Sequence, residues 1–295
     1  MLLVFGSINA DLLFKVAALP APGETVLCPS YEMAIGGKGS NQAAAAAKAG
    51  AETLFVGHTG NDAYGPVVKT MLEEAGVDCA NLRSADAPTA VAVIGVDEAG
   101  ENSIIVASGA NLATEASQLE PLLTAGQTLL CQNEIRLEET CAAIAAASAK
   151  NCRTMLNLAP AGTVPAATLD QLDYLIVNEH EARAVAGDTD ADIKAIARGL
   201  AAKHNMTVVL TLGAAGAYAA SPDSAFDVAA LSVEPVDTTG AGDCFSGILA
   251  ARLDTGMALK EALSHAAAGA ALACLAVGAQ TAQPTDQEIR ARLAG

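Results

Sequence analysis

Basic residues are scarce in this chain: 16 Lys and Arg stand against 33 Asp and Glu, a net charge of -17 over 295 residues. Nucleic acids and anionic membranes bind by releasing counterions to basic side chains, so neither is expected as a partner. The same shortage means that a nucleotide triphosphate would have to be held mainly by backbone N–H groups and a divalent cation. Paired cysteines are also missing. The seven, at positions 28, 79, 131, 141, 152, 244 and 274, contain no C-x-x-C and are odd in number, which suits a reducing compartment better than a disulfide scaffold. The four histidines are scattered, so no zinc site is expected. No basic and then apolar leader precedes the strand-like Leu2-Leu3-Val4-Phe5. The uncharged stretch from Ala266 to Ala279 falls short of the ~20 apolar residues a membrane helix needs, and its Ala and Gly suit a closely packed buried helix. A cytoplasmic protein is expected.

What is present is a rhythm. Short apolar runs alternate with alanine-rich helical stretches: Leu2 to Phe5, a helix at 39-49, Leu54 to Val56, a helix at 64-75, then Thr128 to Cys131, a helix at 138-149, Thr154 to Asn157, Tyr174 to Val177, helices at 179-186 and 190-203, Val208 to Leu212 and Ala217 to Ala219. Ala229 to Val233 reads as a further strand, followed by two helices. Such alternation specifies an α/β fold with a mainly parallel sheet flanked by helices on both faces, whose ligands bind beyond the carboxyl ends of the strands. Two segments, 12-34 and 90-107, carry strand-like runs without a helix. They are expected to pair as a small inserted β lid on a core formed by 1-11, 35-89 and 108-295, with no internal repeat and no linker.

Three polar constellations fall in loops of this pattern. Asp237-Thr238-Thr239-Gly240-Ala241-Gly242-Asp243 opens a helix, where free N–H groups and the dipole attract anions. Asp243 reads either as a helix cap or as a base taking a proton from a hydroxyl that attacks a phosphoryl group. A dinucleotide fingerprint fails there, because Phe245 stands where its third small residue belongs. A P-loop also fails in Gly36-Gly37-Lys38-Gly39-Ser40, because Glu32 replaces the first glycine and Gly39 follows the lysine. That segment nonetheless brings backbone donors, Lys38 and Asn41 to a helix start. Asn9 and Asp11, two residues apart, suit paired sugar hydroxyls or a turn held by its own side chains.

These segments together resemble the ribokinase (PfkB) family of carbohydrate kinases over nearly the whole chain. Gly36-Gly37-Lys38-Gly39-Ser40-Asn41-Gln42-Ala43 is similar to the family's sugar-side motif, and the Asp237 to Asp243 segment to its catalytic one. Gly6 to Asp11, Pro22 to Thr25, Gly100 to Asn102 and Gly109 to Asn111 resemble its ribokinase branch. The resemblance implies that Asp243 is the base, and that the N–H groups of Gly240, Ala241 and Gly242 stabilise the transferring phosphoryl. It places the sugar on Asn9, Asp11, Gly37, Lys38, Asn41 and Glu134. The N-x-x-E motif at Asn178 and Glu181 is implied to handle Mg2+ and the phosphates of ATP, with Thr211, Gly213 and Gly216 on the nucleotide side. A K+ site is implied around Asp237, Thr239, Ala273, Ala276 and Gly278.

The activity implied is ATP-dependent phosphorylation of D-ribose at O5. The alternatives are a kinase for another sugar or a nucleoside, and a catalytically silent sugar-binding regulator. A nucleoside site needs apolar or aromatic surface, and the lid segments offer only Phe14 and Tyr31. Two departures from the family are Ala214-Ala215 in place of a more polar pair, and Ala276 where a basic residue is frequent. His265 is read as a helix residue, because Ala267 falls at the family's histidine position. Exposed strand edges on the lid suggest a homodimer.

Overall fold

A computed structural model describes residues 1–188 and 190–294. The chain opens with β1 (Leu2–Phe5), β2 (Asn9–Lys15), β3 (Tyr31–Gly36), α1 (Lys38–Lys48), β4 (Thr53–Gly60), α2 (Tyr64–Glu74) and β5 (Asp78–Ala85). There follow β6 (Ala90–Val96), β7 (Asn102–Ala107), β8 (Thr128–Cys131), α3 (Leu137–Ala149), β9 (Arg153–Asn157), α4 (Ala166–Leu169), β10 (Tyr174–Asn178) and α5 (Glu179–Ala186). The last part holds α6 (Ile193–His204), β11 (Thr207–Thr211), β12 (Ala217–Ala220), β13 (Ala225–Val228), α7 (Ala241–Asp254), α8 (Leu259–Ala273) and α9 (Asp286–Ala294).

The large sheet runs β13-β12-β11-β10-β9-β8-β1-β4-β5, with β12 antiparallel to both β11 and β13 and the other pairs parallel. Strand β1 shows why helices cover both faces. Alternate residues point to opposite sides of a strand, so Leu2 and Val4 join the core under α1, α2, α7, α8 and α9, while Leu3 and Phe5 join the core under α3 to α6. From β1 the chain proceeds outward to β4 on one side, and from β8 it proceeds outward on the other. The order therefore reverses between β1 and β8, and the crevice beyond their carboxyl ends is where such sheets bind ligands.

A second, four-stranded sheet runs β3-β2-β6-β7. Its β2 pairs in parallel with β6, joining the two helix-free segments. The sheet takes in Asn9 to Asp11 and Ile35 to Gly36, residues that the sequence division left with the core. Three other sequence readings change. Ala229 to Val233 is irregular and the strand is β13, because Val228 already pairs with Ala217, the first residue of β12, so the chain beyond it has no partner. Edge strand β5 escaped notice because it is largely polar, with Cys79 and Leu82 its buried positions. Helix α9 escaped because Ile289 is its single buried residue, which leaves no apolar period to read.

Helices α1 and α7 approach unusually closely. A Cβ placed on Gly247 would lie 2.2 Å from the backbone oxygen of Gln42 and 2.9 Å from the Ala45 methyl, so only glycine admits this contact. The start of α1 is equally tight against β1 and β2. Gly37 caps it with φ 91°, and a Cβ there would press on Ile8 and on the N–H of Asn9. These two contacts bring the first turns of α1 and α7 to the crevice together.

Candidate active site

The centre of the site is the Asp243 carboxylate, 6% exposed in the first turn of α7. Removing an ionised carboxylate from water is costly unless donors replace the water. Two side-chain amides of α1 supply them: Asn41 Nδ2 donates to Oδ2 at 3.1 Å, and Gln42 Nε2 donates to Oδ1 at 2.9 Å. The first-turn N–H groups add a favourable dipole. Space is open beside Gly242, where a Cβ would meet no atom within 4 Å. Asn41 is itself held in orientation, because Gln280 Nε2 donates to its Oδ1 at 3.1 Å.

Around Asp243 stand the polar groups that follow β1 and β8. Glu134 Oε2 accepts from Ser7 Oγ at 2.7 Å and from the Lys38 N–H at 2.8 Å, which ties three chain segments at one oxygen. Asn111 Nδ2 donates to Asn9 Oδ1 at 2.9 Å, so the Asn9 amide keeps its Nδ2 for a ligand. Burial alone would lower the proton affinity of Lys38, but the carboxylates of Asp243, Glu134 and Glu181 outweigh it and hold the ammonium above its usual range. For Asp11, burial and then the nearby Glu134 push the carboxyl up to about 7, and its Oδ1 is buried without a hydrogen-bond partner. Such an atom is ready for a hydroxyl donor.

The second group lies at the ends of β10 and β11, where Asn178 and Thr211 are register partners. Asn178 caps α5 by accepting from the Glu181 N–H at 2.9 Å, and Glu181 Oε2 accepts from the Asn178 N–H at 2.8 Å. Burial raises the Glu181 carboxyl, with the Asn178 N–H, Lys38 and His180 opposing and Asp243 adding to the rise. Electrostatics thus link Glu181, Lys38 and Asp243 in one field. Gly213 and Gly216 bracket the short turn after β11.

The third group gathers at the end of α8. Asp237 accepts from the Thr239 N–H and the Gly278 N–H, each at 2.9 Å, while its own N–H and that of Val236 reach the Cys274 carbonyl. Burial opposes, but these donations and the Thr239 hydroxyl hold the Asp237 carboxyl below the usual range. Ala273 ends α8 and is buried, whereas Ala276 stands exposed in the loop beyond. Gly240 abuts Ala279 of this loop, so the third group adjoins the opening of α7. His265 lies inside α8 and its Nδ1 accepts from Arg252 Nε at 3.1 Å, away from these clusters.

The structure brings the residues expected at a sugar into one cluster, and those expected at the nucleotide and the cation into two neighbouring ones. The sequence reading passed over Ser7, Gln42, Asn111, Gln132 and Asn157 as contributors, although Ser7, Gln42 and Asn111 lie inside segments it singled out. A separate groove of about 680 Å³ opens at the other end of the strands, beside Arg153, Asp173 and Tyr174. Two of its charged groups are already engaged, Asp173 by Thr154 and Arg153 by Thr128 and the Leu253 carbonyl.

A buried carboxylate at a helix start, open space for an anion beside it and a cluster of polar groups around it suit a phosphotransferase acting on a hydroxyl. The chain belongs to the pfkB family of carbohydrate kinases, whose pattern it matches over residues 1–286. It is 34% identical to the ribokinase of Haemophilus influenzae over 294 residues, covering 97% of this chain and 96% of that one. The solved ribokinase of Thermotoga maritima is similar at a TM-score of 0.93 and 31% identity, covering 100% of this chain and 99% of that one. The Arabidopsis thaliana ribokinase, solved in complex with ribose and ATP, is similar at 0.91 and 30%, covering 100% and 98%.

The field at Asp11 yields a prediction. Glu134→Gln removes a like charge, so the Asp11 carboxyl should titrate below its value of about 7 while burial still keeps it above 3.8. Carboxyl-carbon NMR across pH would detect this. An unchanged titration would show that burial acts alone.

Proposed function

We propose that this protein transfers the γ-phosphoryl group of ATP to O5 of D-ribose. The observation that carries this reading is the meeting of the buried Asp243 carboxylate with the sugar-side cluster of Asn9, Asp11, Lys38, Asn41 and Glu134. The ribose 5-hydroxyl attacks the γ-phosphorus in line, its proton passes to Asp243, and ADP leaves. Positioning and electrostatics dominate such transfers. The N–H groups of Gly240 and Gly242 meet the charge on the moving phosphoryl, joined by that of Ala241 when it leaves the Thr238 carbonyl to which it donates at 3.2 Å, as backbone donors must in so acidic a chain. Asn9, Asp11, Gly37, Lys38, Asn41 and Glu134 hold the sugar, with Asp11 accepting hydrogen bonds from its hydroxyls. Asn178, Thr211, Gly213 and Gly216 border the nucleotide.

The hard oxygen donors of Glu181 and Asn178 fit Mg2+, and the raised proton affinity of buried Glu181 is what a nearby cation would relieve. Mg2+ held there supplies charge neutralisation at the phosphate oxygens. An oxygen-only set at Asp237, Thr239, Ala273, Ala276 and Gly278 fits K+, and Asp237 is kept ionised by its donors. The unpaired thiols suit the cytoplasm, and among the described residues no helix is long and apolar enough to cross a membrane.

A coupled assay of ADP release over a panel of pentoses, hexoses and nucleosides, with and without K+, tests the reading. Ribose should give the highest kcat/KM; a nucleoside ahead of it, or no turnover at all, would favour the other kinase or the silent regulator. Asp243→Ala should lower kcat by roughly 10²–10⁴-fold with ribose binding retained, since that is what a general base typically adds.

The small sheet forms a lid whose outer strand is also the dimer surface. Strand β7 is exposed throughout, with Ile104 54%, Ile105 70% and Val106 52% accessible, an apolar edge that pairing with a second copy would cover. Light scattering should give a dimer, and Ile105→Lys a monomer. A monomeric wild type would overturn this part.

A further inference from the structure

Gln42 occupies a junction that the general-base scheme leaves unused. It is wholly buried on α1, and its three hydrogen bonds all go to side chains. Its Nε2 donates to Asp243 Oδ1 at 2.9 Å and to Asn157 Oδ1 at 2.8 Å, and its Oε1 accepts from Gln132 Nε2 at 2.8 Å. Both partner amides stand at strand ends, Asn157 closing β9 and Gln132 just past β8. The chain of amides therefore runs from the rigid sheet to the reacting carboxylate.

Its polarity is set from one end. The Ile176 carbonyl in β10 can only accept, and Asn157 Nδ2 donates to it at 3.2 Å. That turns Asn157 Oδ1 toward Gln42, so the NH2 end of Gln42 must face it and, with it, Asp243. The Gln42 carbonyl then points the other way and calls for a donor, which Gln132 supplies. Keeping this direction leaves Gln132 Oε1 buried without a partner, against Gly6, where a Cβ would come within 2.0 Å. A buried orphan carbonyl is a cost, and the arrangement accepts it in return for a donor, never a lone pair, aimed at Asp243.

We propose that Gln42 is a positioning residue for the phosphoryl transfer: with Asn157 and Gln132 it locks the Asp243 carboxylate in the rotamer that receives the hydroxyl proton. This rests on the kinase reading above. The side-chain hydrogen bonds of Gln42 go to Asp243, Asn157 and Gln132, and none to Asn9, Asp11, Lys38, Asn178 or Thr211. Its loss should accordingly act on kcat and spare binding, because a wandering carboxylate weakens the transition state more than the ground state.

The test is Gln42→Met, of similar length but without hydrogen bonds, beside wild type. We expect kcat to fall about 10–100-fold, with the Kd of ribose and of Mg-ATP, by calorimetry, within about twofold. Gln42→Glu adds a readout that packing alone would not move. A second carboxyl against Asp243 shares a proton with it, so the acid limb of the kcat–pH profile should shift upward, within the field also set by Lys38 of α1 and Glu181 of α5. A folded Gln42→Met enzyme with near-normal kcat, or one that loses kcat and ribose binding in equal measure, overturns the inference while the kinase reading stands. A wild type without sugar-dependent turnover overturns both. Should Gln42→Met not fold, Gln132→Met serves one step further out: a severalfold loss of kcat at unchanged Kd is expected, and unchanged kcat overturns the proposal.

Discussion

The structure depends on how closely α1 lies against α7. Gly247 lets the backbone of Gln42 come within a distance no side chain would permit, and Gly37 lets α1 begin hard against Ile8 and Asn9. Were the two helices an ångström further apart, Asn41 and Gln42 would no longer reach Asp243, and its carboxylate would be buried without donors. The energetic logic is simple. A buried carboxylate is tolerable only with charge-assisted hydrogen bonds, each worth roughly 1.5–3 kcal/mol, together with the dipole of its own helix. Packing of small residues is therefore the condition for a charged group in the crevice.

From that point the electrostatics follow. An acidic chain has assembled carboxylates at 134, 181 and 243 around Lys38, whose charge they reinforce, with Asp11 in the field of Glu134. The cluster is asymmetric. Asp11 holds its proton to about 7 with an oxygen left unpartnered, a surface for hydroxyl donors. Glu181 is tied to the start of α5, whose Asn178 has its register partner on β11. Beside Asp243, the face of Gly242 is open. The reversal of strand order between β1 and β8 places all of this at one end of the sheet, and the two-sided hydrophobic core beneath keeps it rigid.

Much of this was legible in the sequence, for stated reasons. Alternation of apolar runs with alanine-rich stretches reports the parallel sheet, since only helical crossovers can join such strands. Glycine-rich loops at helix starts mark the crevice, and the resemblance gave their polar residues roles. What escaped notice lacked a local signal. Strand β5 and helix α9 bury too few residues to show a period, and β13 lay a few positions upstream because its end is fixed by β12. The amide chain could not be read at all: Gln42, Gln132 and Asn157 are far apart in sequence, and uncharged amides look the same whether they face water or a carboxylate. Gln42 lay in a motif already singled out, yet nothing in its spacing distinguished it from its neighbours.

The central claim is that Asp243 takes a proton and never carries the phosphoryl group. The stereochemical course of transfer from ATP made chiral at the γ-phosphorus by oxygen isotopes tests this directly. One in-line displacement from ATP to the sugar predicts inversion at phosphorus. Retention would mean two displacements through a phosphorylated side chain, and would contradict the account.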